Sequence, residues 1–226
     1  MPYPAGHSEE VERKIVDSAR QLFNRHGFDN VSIDQIMAGA GLTRGGFYSY
    51  FETKSDLYAE VLGCFFTDPN FQSRWEGVEV DLGSEEVGPQ VVQAYLSRQH
   101  FENVENSCPM VALPGDVARA NKRAKAAFET VFGAMVGVLE SGVRGSDGAA
   151  RECGEAGCGD EARVRAQAIA ALCVGGMVVA RAMANRAVAD DLRDGCMAVA
   201  LKLGGWTAAS KVKKSGKAKS TAAGRG

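Results

Sequence analysis

The chain has 226 residues, of which 45% are hydrophobic and 24% are charged, and its formal net charge is −2. This length suits one large domain or two modest ones, and the composition is that of a globular protein. The overall charge gives no support to nucleic-acid binding, so such a function must depend on a local pattern. No apolar run approaches the roughly 18 residues of a membrane span, and the first eight residues lack a secretory pattern. These features predict a cytoplasmic protein without a membrane partner.

Apolar residues recur at helical spacing along most of the chain, which predicts an all-α fold. A first helix covers about residues 9–26 and ends at Gly27. A second helix follows Ser32, whose side chain forms a capping box with Gln35, three residues further on. After a tight turn at residues 39–42, a third helix of only about two turns begins at Thr43.

The remaining sequence predicts further helices at about residues 53–67, 89–102, 110–119, 121–141, 161–185 and 188–204. Residues 142–160 contain six glycines and mixed charges, which favours a long surface loop. Residues 211–226 contain five lysines, one arginine and no acid, which favours disorder. The predicted organisation is an N-terminal three-helix domain (1–62), a larger helical domain (63–204) and a basic tail (205–226).

The first three helices meet the physical requirements of a helix-turn-helix. Glycines at positions 39 and 41 let the chain reverse closely, so that one helix can brace the next as it enters the major groove of DNA. Phe47 and Phe51 are expected to anchor the third helix in the core. Its leading turn carries only small or polar residues, which can approach base edges.

The segment from Gly39 to Leu62, GAGLTRGGFYSYFETKSDLYAEVL, resembles the signature of the TetR family of transcriptional regulators. The resemblance extends upstream through ARQLFNRHGFDNVSIDQIMAGAG and covers about residues 10–62. It implies an all-helical homodimer whose N-terminal domain binds double-stranded DNA. It further implies that the C-terminal domain dimerises and binds a small effector, which releases the protein from its operator.

The resemblance places base-facing and phosphate-facing residues against DNA, and the residues at two helix N-termini can contribute as well. Tyrosine hydroxyls and a lysine can hold phosphate oxygens, arginine can pair with guanine O6 and N7, and helix N-termini can hold an anion. The base-facing positions are Arg44, Gly45 and Gly46; the phosphate-facing positions are Tyr48, Tyr50 and Lys54; and Ser32 and Thr43 lie at helix N-termini. Alternatively, the two tyrosines are packing residues and the lysine is a solvated charge.

The N-terminal domain departs from the usual basic character of DNA-binding domains. Residues 1–60 contain six Arg or Lys and nine Asp or Glu, a net charge of −3. The basic surface must therefore be narrow, and Arg44 is the chief candidate for reading bases. Specificity is expected to depend partly on DNA deformation.

The candidates for an effector pocket are large apolar residues of the C-terminal domain, although such stripes also form ordinary core. They are Phe65, Phe66, Phe71, Trp75, Tyr95, Phe101, Cys108, Phe128, Phe132, Met135 and Met177. By resemblance, the last two helices form the dimer through a face of mostly small residues, and packing within the chain is the alternative. That face comprises Ala168, Ala171, Leu172, Gly175, Gly176 and Val179.

Six scattered cysteines without a CxxC pair favour reduced thiols in the cytoplasm. Cys108, at a helix start beside Pro109, is a candidate reactive thiol whose pKa a helix N-terminus would lower. Cys153 and Cys158 could bind a metal with Glu152 and Glu155, but their spacing matches no strong zinc pattern. No cofactor or resident metal is predicted.

The pattern predicts a sequence-specific DNA-binding regulator, most simply a homodimeric repressor. The alternatives are a thiol- or metal-responsive regulator with the same DNA-binding domain, or an activator. An enzyme is not predicted, because none of the three histidines falls in a nucleophile or metal-helix motif.

Overall fold

The structure is a computed structural model that describes residues 7–64, 80–148 and 158–206, without the side chains of residues 147, 148 and 158–160. Within these ranges the chain forms ten α-helices, one 3₁₀ helix and no strand, which confirms the all-α prediction. Phe65, Phe66, Phe71, Trp75, the proposed metal ligands Glu152, Cys153 and Glu155, and the basic tail after Trp206 lie outside the described residues.

The N-terminal unit consists of α1 (His7–His26), α2 (Ile33–Gly39), the 3₁₀ helix (Arg44–Ser49) and α3 (Lys54–Gly63). The predicted stop at Gly27 and the predicted starts at Ser32 and Thr53 are confirmed: Gly27 has a left-handed φ of 78°, and capping boxes at Ser32 and Thr53 open α2 and α3. The core of this unit is fully buried at Ile15, Phe23, Ile36, Met37, Phe47, Leu57 and Tyr58.

The C-terminal unit consists of α4 (Val87–Tyr95), α5 (Arg98–Glu102), α6 (Pro109–Ala112), α7 (Pro114–Arg119), α8 (Lys122–Gly148), α9 (Cys158–Arg181) and α10 (Arg186–Gly204). Its core lies where α4, α8, α9 and α10 meet. Leu113, Val117 and Ala124 of this unit belong instead to the N-terminal core. Apolar packing therefore joins the two units.

The predicted loop at residues 142–160 is wrong in its first part, because α8 continues to Gly148. Val143 is fully buried, and a Cβ at Gly142 would lie 3.1 Å from the Cα of Gly88 on α4. Here glycine marks a close helix contact and not a loop. The single helix predicted at 89–102 is also wrong, since Ser97 caps a separate helix, α5.

Two segments, Lys122–Ser146 and Glu161–Arg181, are long and apolar enough to cross a membrane by length and composition. The expectation that no apolar run approaches such a span was therefore wrong. These segments of α8 and α9 nevertheless pack against each other and contribute to the core. They also carry the ion pairs of Glu140 with Arg144 and Arg163.

Candidate nucleic-acid interface

The turn between α2 and the 3₁₀ helix presents a short polar ridge. Gly41 has a φ of 73°, which lets the chain reverse, and the Leu42 amide donates to the Met37 carbonyl at 2.8 Å. Phe47 and Phe51 then point into the core with 0% and 7% exposure. The predicted short helix is present, but it is a 3₁₀ helix, which is consistent with its brevity and its two poor helix formers, Gly45 and Gly46.

The leading turn of the 3₁₀ helix carries one positively charged side chain, that of Arg44, followed by two glycines without side chains. The exposed Arg44 guanidinium donates from Nη1 to Oδ2 of Asp34 at 2.7 Å. A Cβ at Gly45 would meet nothing within 4 Å, whereas at Gly46 it would contact Met37 at 3.6 Å. Gly45 therefore faces open space, and Gly46 backs onto the core.

The two tyrosines differ in exposure. Tyr48 is 59% exposed, and its ring lies edge-on to Phe47 with the centroids 5.3 Å apart. Tyr50 is half-buried and packs against the N-terminal core. The structure thus leaves Tyr48 accessible to a ligand, whereas Tyr50 also serves packing.

Lys54 is half-buried rather than solvated. Its ammonium donates to the carbonyls of Phe28 at 2.8 Å and Val31 at 2.9 Å, and it lies 4.2 Å from the Phe28 ring centroid. Burial lowers the pKa of Lys54, with Asp29 acting in the opposite direction. An ammonium has three N–H donors, so two bonds to the chain leave one for a phosphate oxygen.

Ser32 and Thr43 both precede helices, but only one serves as a side-chain cap. Ser32 Oγ accepts from the Gln35 amide and donates to the Gln35 side chain. Thr43 makes no capping bond with its side chain. The Thr43 hydroxyl is therefore the better placed of the two to meet an anion.

Ion pairs offset part of the acidity of the N-terminal unit. Asp56 pairs with Arg123 of α8 at 2.6 Å, and Glu10 pairs with Lys14 at 2.7 Å. Hydrogen bonding from Thr53, with Arg123 adding to it, lowers the pKa of Asp56 despite partial desolvation. An arginine from the C-terminal unit thus compensates an acid of the N-terminal unit.

A buried polar joint connects α1 to α9 at Ser107, a link that sequence reasoning missed. Asn24 of α1 donates to the Ser107 carbonyl at 2.9 Å, and Arg181 of α9 donates to the Ser107 hydroxyl at 3.0 Å. Arg20 donates to the neighbouring Glu105 carbonyl at 3.0 Å. The only sequence signal was a set of polar residues on the inner faces of helices.

The predicted effector residues mostly belong to the core. Tyr95, Cys108, Met135 and Met177 are buried, whereas Phe101, Phe128 and Phe132 are partly buried. The structure has a cavity of about 860 Å³ elsewhere, between the start of α4 and the ends of α8 and α10. None of the seven predicted effector residues that the structure describes lines this cavity, which is bordered by Glu85, Glu86, Gln90, Gln93, Ser141 and Trp206.

The expectation of a lowered pKa for Cys108 was wrong. The thiol is fully buried, and desolvation raises the pKa of Cys108 to about 12. Its helix, α6, has only four residues and little dipole to offer. Among the described residues there is also no cluster of three or more His, Cys, Asp or Glu side chains that could hold a metal.

The α9–α10 face is apolar and exposed. We define it by Val164, Ala168, Ala171, Gly175 and Val179 of α9 with Val188 and Val199 of α10. Its four valines are 47–62% exposed, and a Cβ at Gly175 would meet nothing within 4 Å. Gly176 differs from the predicted face, because it packs within the chain against Cys196 and Leu96.

Comparison with known proteins identifies the N-terminal unit. The family model described as "Bacterial regulatory proteins, tetR family" matches residues 15–61, from the middle of α1 through α3. The N-terminal unit belongs to the TetR family. The chain is 39% identical over 54 residues to the transcriptional regulator AcrR of Shigella flexneri, covering 24% of the chain and 25% of AcrR.

Sequence similarity to curated relatives covers only part of the chain, whereas structural similarity covers most of it. The negative regulator IcaR of the Staphylococcus aureus biofilm operon icaADBC is 30% identical over 56 residues, which cover 25% of the chain and 30% of IcaR. The chain thus spans less than a third of either relative. The reduced form of NemR from E. coli has the same TetR-family fold, with a TM-score of 0.64 and 15% identity over 86% of the chain and 97% of NemR.

Proposed function

We propose that the chain is a cytoplasmic homodimeric repressor that binds a specific operator and is released by a small-molecule effector. The observation that carries the proposal is the 3₁₀ helix, whose apolar side is fixed in the core by Phe47 while Arg44 and Tyr48 stand exposed. A rigid, small-featured ridge of this kind fits the major groove. Thr43, Tyr50, Lys54 and Ser32 flank it as candidate phosphate contacts.

Dimerisation is supported by the α9–α10 face. Of the seven large hydrophobic side chains that are exposed within the described residues, four lie on this face. Exposed apolar surface of this kind marks an interaction site, and the same face of a second copy can pair with it under two-fold symmetry. Two copies would present two recognition elements to two half-sites.

Effector release is supported by the way the two units are joined. Asn24 of α1 and Arg181 of α9 both donate hydrogen bonds to Ser107, so a shift of α9 would reach α1 through this residue. A ligand that favours a different joint geometry would change half-site spacing. The thiol-responsive alternative is weakened, since a buried thiol with a pKa near 12 is not a thiolate at neutral pH.

A selection from randomised DNA duplexes tests sequence-specific binding. A gel shift with DNA from around the protein's own gene then tests operator binding and release by a ligand, and a reporter tests repression. A discrete shifted band that candidate ligands abolish is expected. Loss of reporter expression in the presence of the protein would support repression, and increased expression would favour the activator alternative.

Arg44→Ala is expected to relax base preference at one position in each half-site, because it removes the chief side chain able to pair with guanine. The expected loss of discrimination is about 1–3 kcal/mol. Binding to the randomised pool measures this preference directly. An Arg44→Ala variant with the wild-type preference would show that Arg44 does not read a base.

Lys54→Ala is expected to weaken binding to all sequences alike and to reduce the slope of log affinity against log salt by about 0.9, the value of one phosphate contact. It should also destabilise the fold by roughly 1–3 kcal/mol, since two partly buried carbonyls lose their donor. Arg144→Ala, which removes a positive charge from α8, is the control. A Lys54→Ala slope equal to the wild-type slope would restrict Lys54 to its structural role.

A further inference from the structure

We propose that Asp34 determines DNA specificity by fixing the orientation of Arg44. This inference rests on the proposed function, because it concerns how the same surface reads a base. Asp34 is an acid on a surface that must approach polyanionic DNA, so it opposes binding to every sequence. Its position is explained if its carboxylate makes the arginine more selective.

The geometry holds both partners on fixed backbone. Asp34 lies in the first turn of α2, between Ser32 and Gln35, whose capping box fixes the backbone of this turn. Arg44 is the first residue of the 3₁₀ helix, which the buried Phe47 anchors three residues later. The Nη1 to Oδ2 distance of 2.7 Å therefore joins two rigid elements across the turn.

The pair has little to contribute to folding. Both side chains are more than half exposed, at 59% and 57%. Exposed ion pairs typically stabilise a fold by less than about 1 kcal/mol. Its main consequence is to restrict an arginine that otherwise samples many rotamers.

A restricted arginine discriminates more sharply between bases. The guanidinium has five N–H donors, so one bond to Asp34 leaves a pair of donors for the O6 and N7 of a guanine. A free arginine can swing to a nearby phosphate or to another base, which gains affinity without gaining selectivity. An arginine held by Asp34 loses these alternatives, and the carboxylate repels acceptor groups of a wrong base.

The test compares affinity with base preference in a set of variants. Wild type, Asp34→Ala, Asp34→Asn and Arg44→Ala are each used in randomised-site selection and in titrations with the selected duplex and its single-base variants. Asp34→Ala is expected to bind unrelated DNA as tightly as wild type or more tightly. Its preference at the base lost in Arg44→Ala should fall about fivefold to tenfold, part of what one arginine–guanine pair supplies.

Two variants separate orientation from charge. Asp34→Asn keeps an acceptor oxygen without the charge and should retain part of the preference. Glu52→Ala removes an exposed acid that follows the 3₁₀ helix and is expected to leave base preference unchanged. Circular dichroism melting of each variant establishes that the helices are intact.

The outcomes distinguish this inference from the proposed function. If Asp34→Ala binds more tightly but keeps the wild-type preference, Asp34 only opposes DNA and the inference is overturned. The same conclusion follows if Glu52→Ala relaxes the preference equally. If wild type itself enriches no sequence, the proposed function fails, and the specificity role fails with it.

Discussion

Gly175→Glu is expected to convert the protein to a monomer that no longer binds its operator tightly. Gly175 lies in the middle of the α9–α10 face, where an added Cβ would meet nothing within 4 Å. In a two-fold interface the new carboxylate would be buried without a cation, near its own copy. An uncompensated buried charge costs several kcal/mol, so dimerisation should weaken by roughly 100-fold or more.

The loss should not arise from unfolding of the monomer. Replacing glycine by glutamate in an exposed helix interior favours the helix by up to about 1 kcal/mol. Gly133→Glu on α8 is the matched control, because that position is equally open and gains the same charge. Sedimentation velocity over a range of concentrations measures the association. A Gly175→Glu protein that remains dimeric would exclude the centre of the α9–α10 face from the interface.

Local chemistry made the N-terminal unit predictable from the sequence. Side-chain caps at Ser32 and Thr53 and the left-handed Gly27 act within a few residues, so their signals are complete in the sequence. The 3₁₀ geometry was harder, since it arises from competition between the weak helix propensity of Gly45 and Gly46 and the anchoring of Phe47.

Contacts between distant segments explain the errors. Gly142 resembled a loop residue because its partner, Gly88, lies 54 positions earlier in the chain, and only their close packing makes glycine suitable for a helix there. The phosphate contact of Lys54 stays a prediction, but its bonds to two carbonyls more than 20 residues away could not be inferred from the sequence. Cys108 likewise resembled a reactive thiol in the sequence, but its burial in the fold raises the thiol pKa.

His100 gives the second large expected effect, a loss of stability in mild acid. Its side chain is buried between two backbone groups: Nδ1 lies 2.6 Å from the Tyr95 carbonyl, and Nε2 accepts from the Cys108 amide at 3.4 Å. These partners select the neutral imidazole with its proton on Nδ1. A second proton on Nε2 would face the Cys108 amide donor.

Burial lowers the pKa of His100 to about 4, and the positive charge of Arg181 acts in the same direction, while the Tyr95 carbonyl opposes it. The unfolded chain binds this proton near pH 6.5, the ordinary value for histidine. Between pH 6.5 and pH 4 the unfolded state therefore holds more protons, and the free energy of unfolding decreases as the pH falls. The loss through this window is about 3 kcal/mol.

His100→Gln is expected to remove most of this pH dependence, because glutamine does not titrate. Urea unfolding at several values between pH 7 and pH 4 measures the free energy for wild type, His100→Gln and the control His26→Gln, which alters an exposed histidine. Carboxylates such as Glu102 and Glu140 are expected to contribute equally in all three proteins, so the difference isolates His100. The His100 carbonyl also accepts from Arg181 next to Ser107, so the acid-sensitive group lies at the joint between α1 and α9. A wild-type slope that persists in His100→Gln would assign the acid sensitivity to other groups.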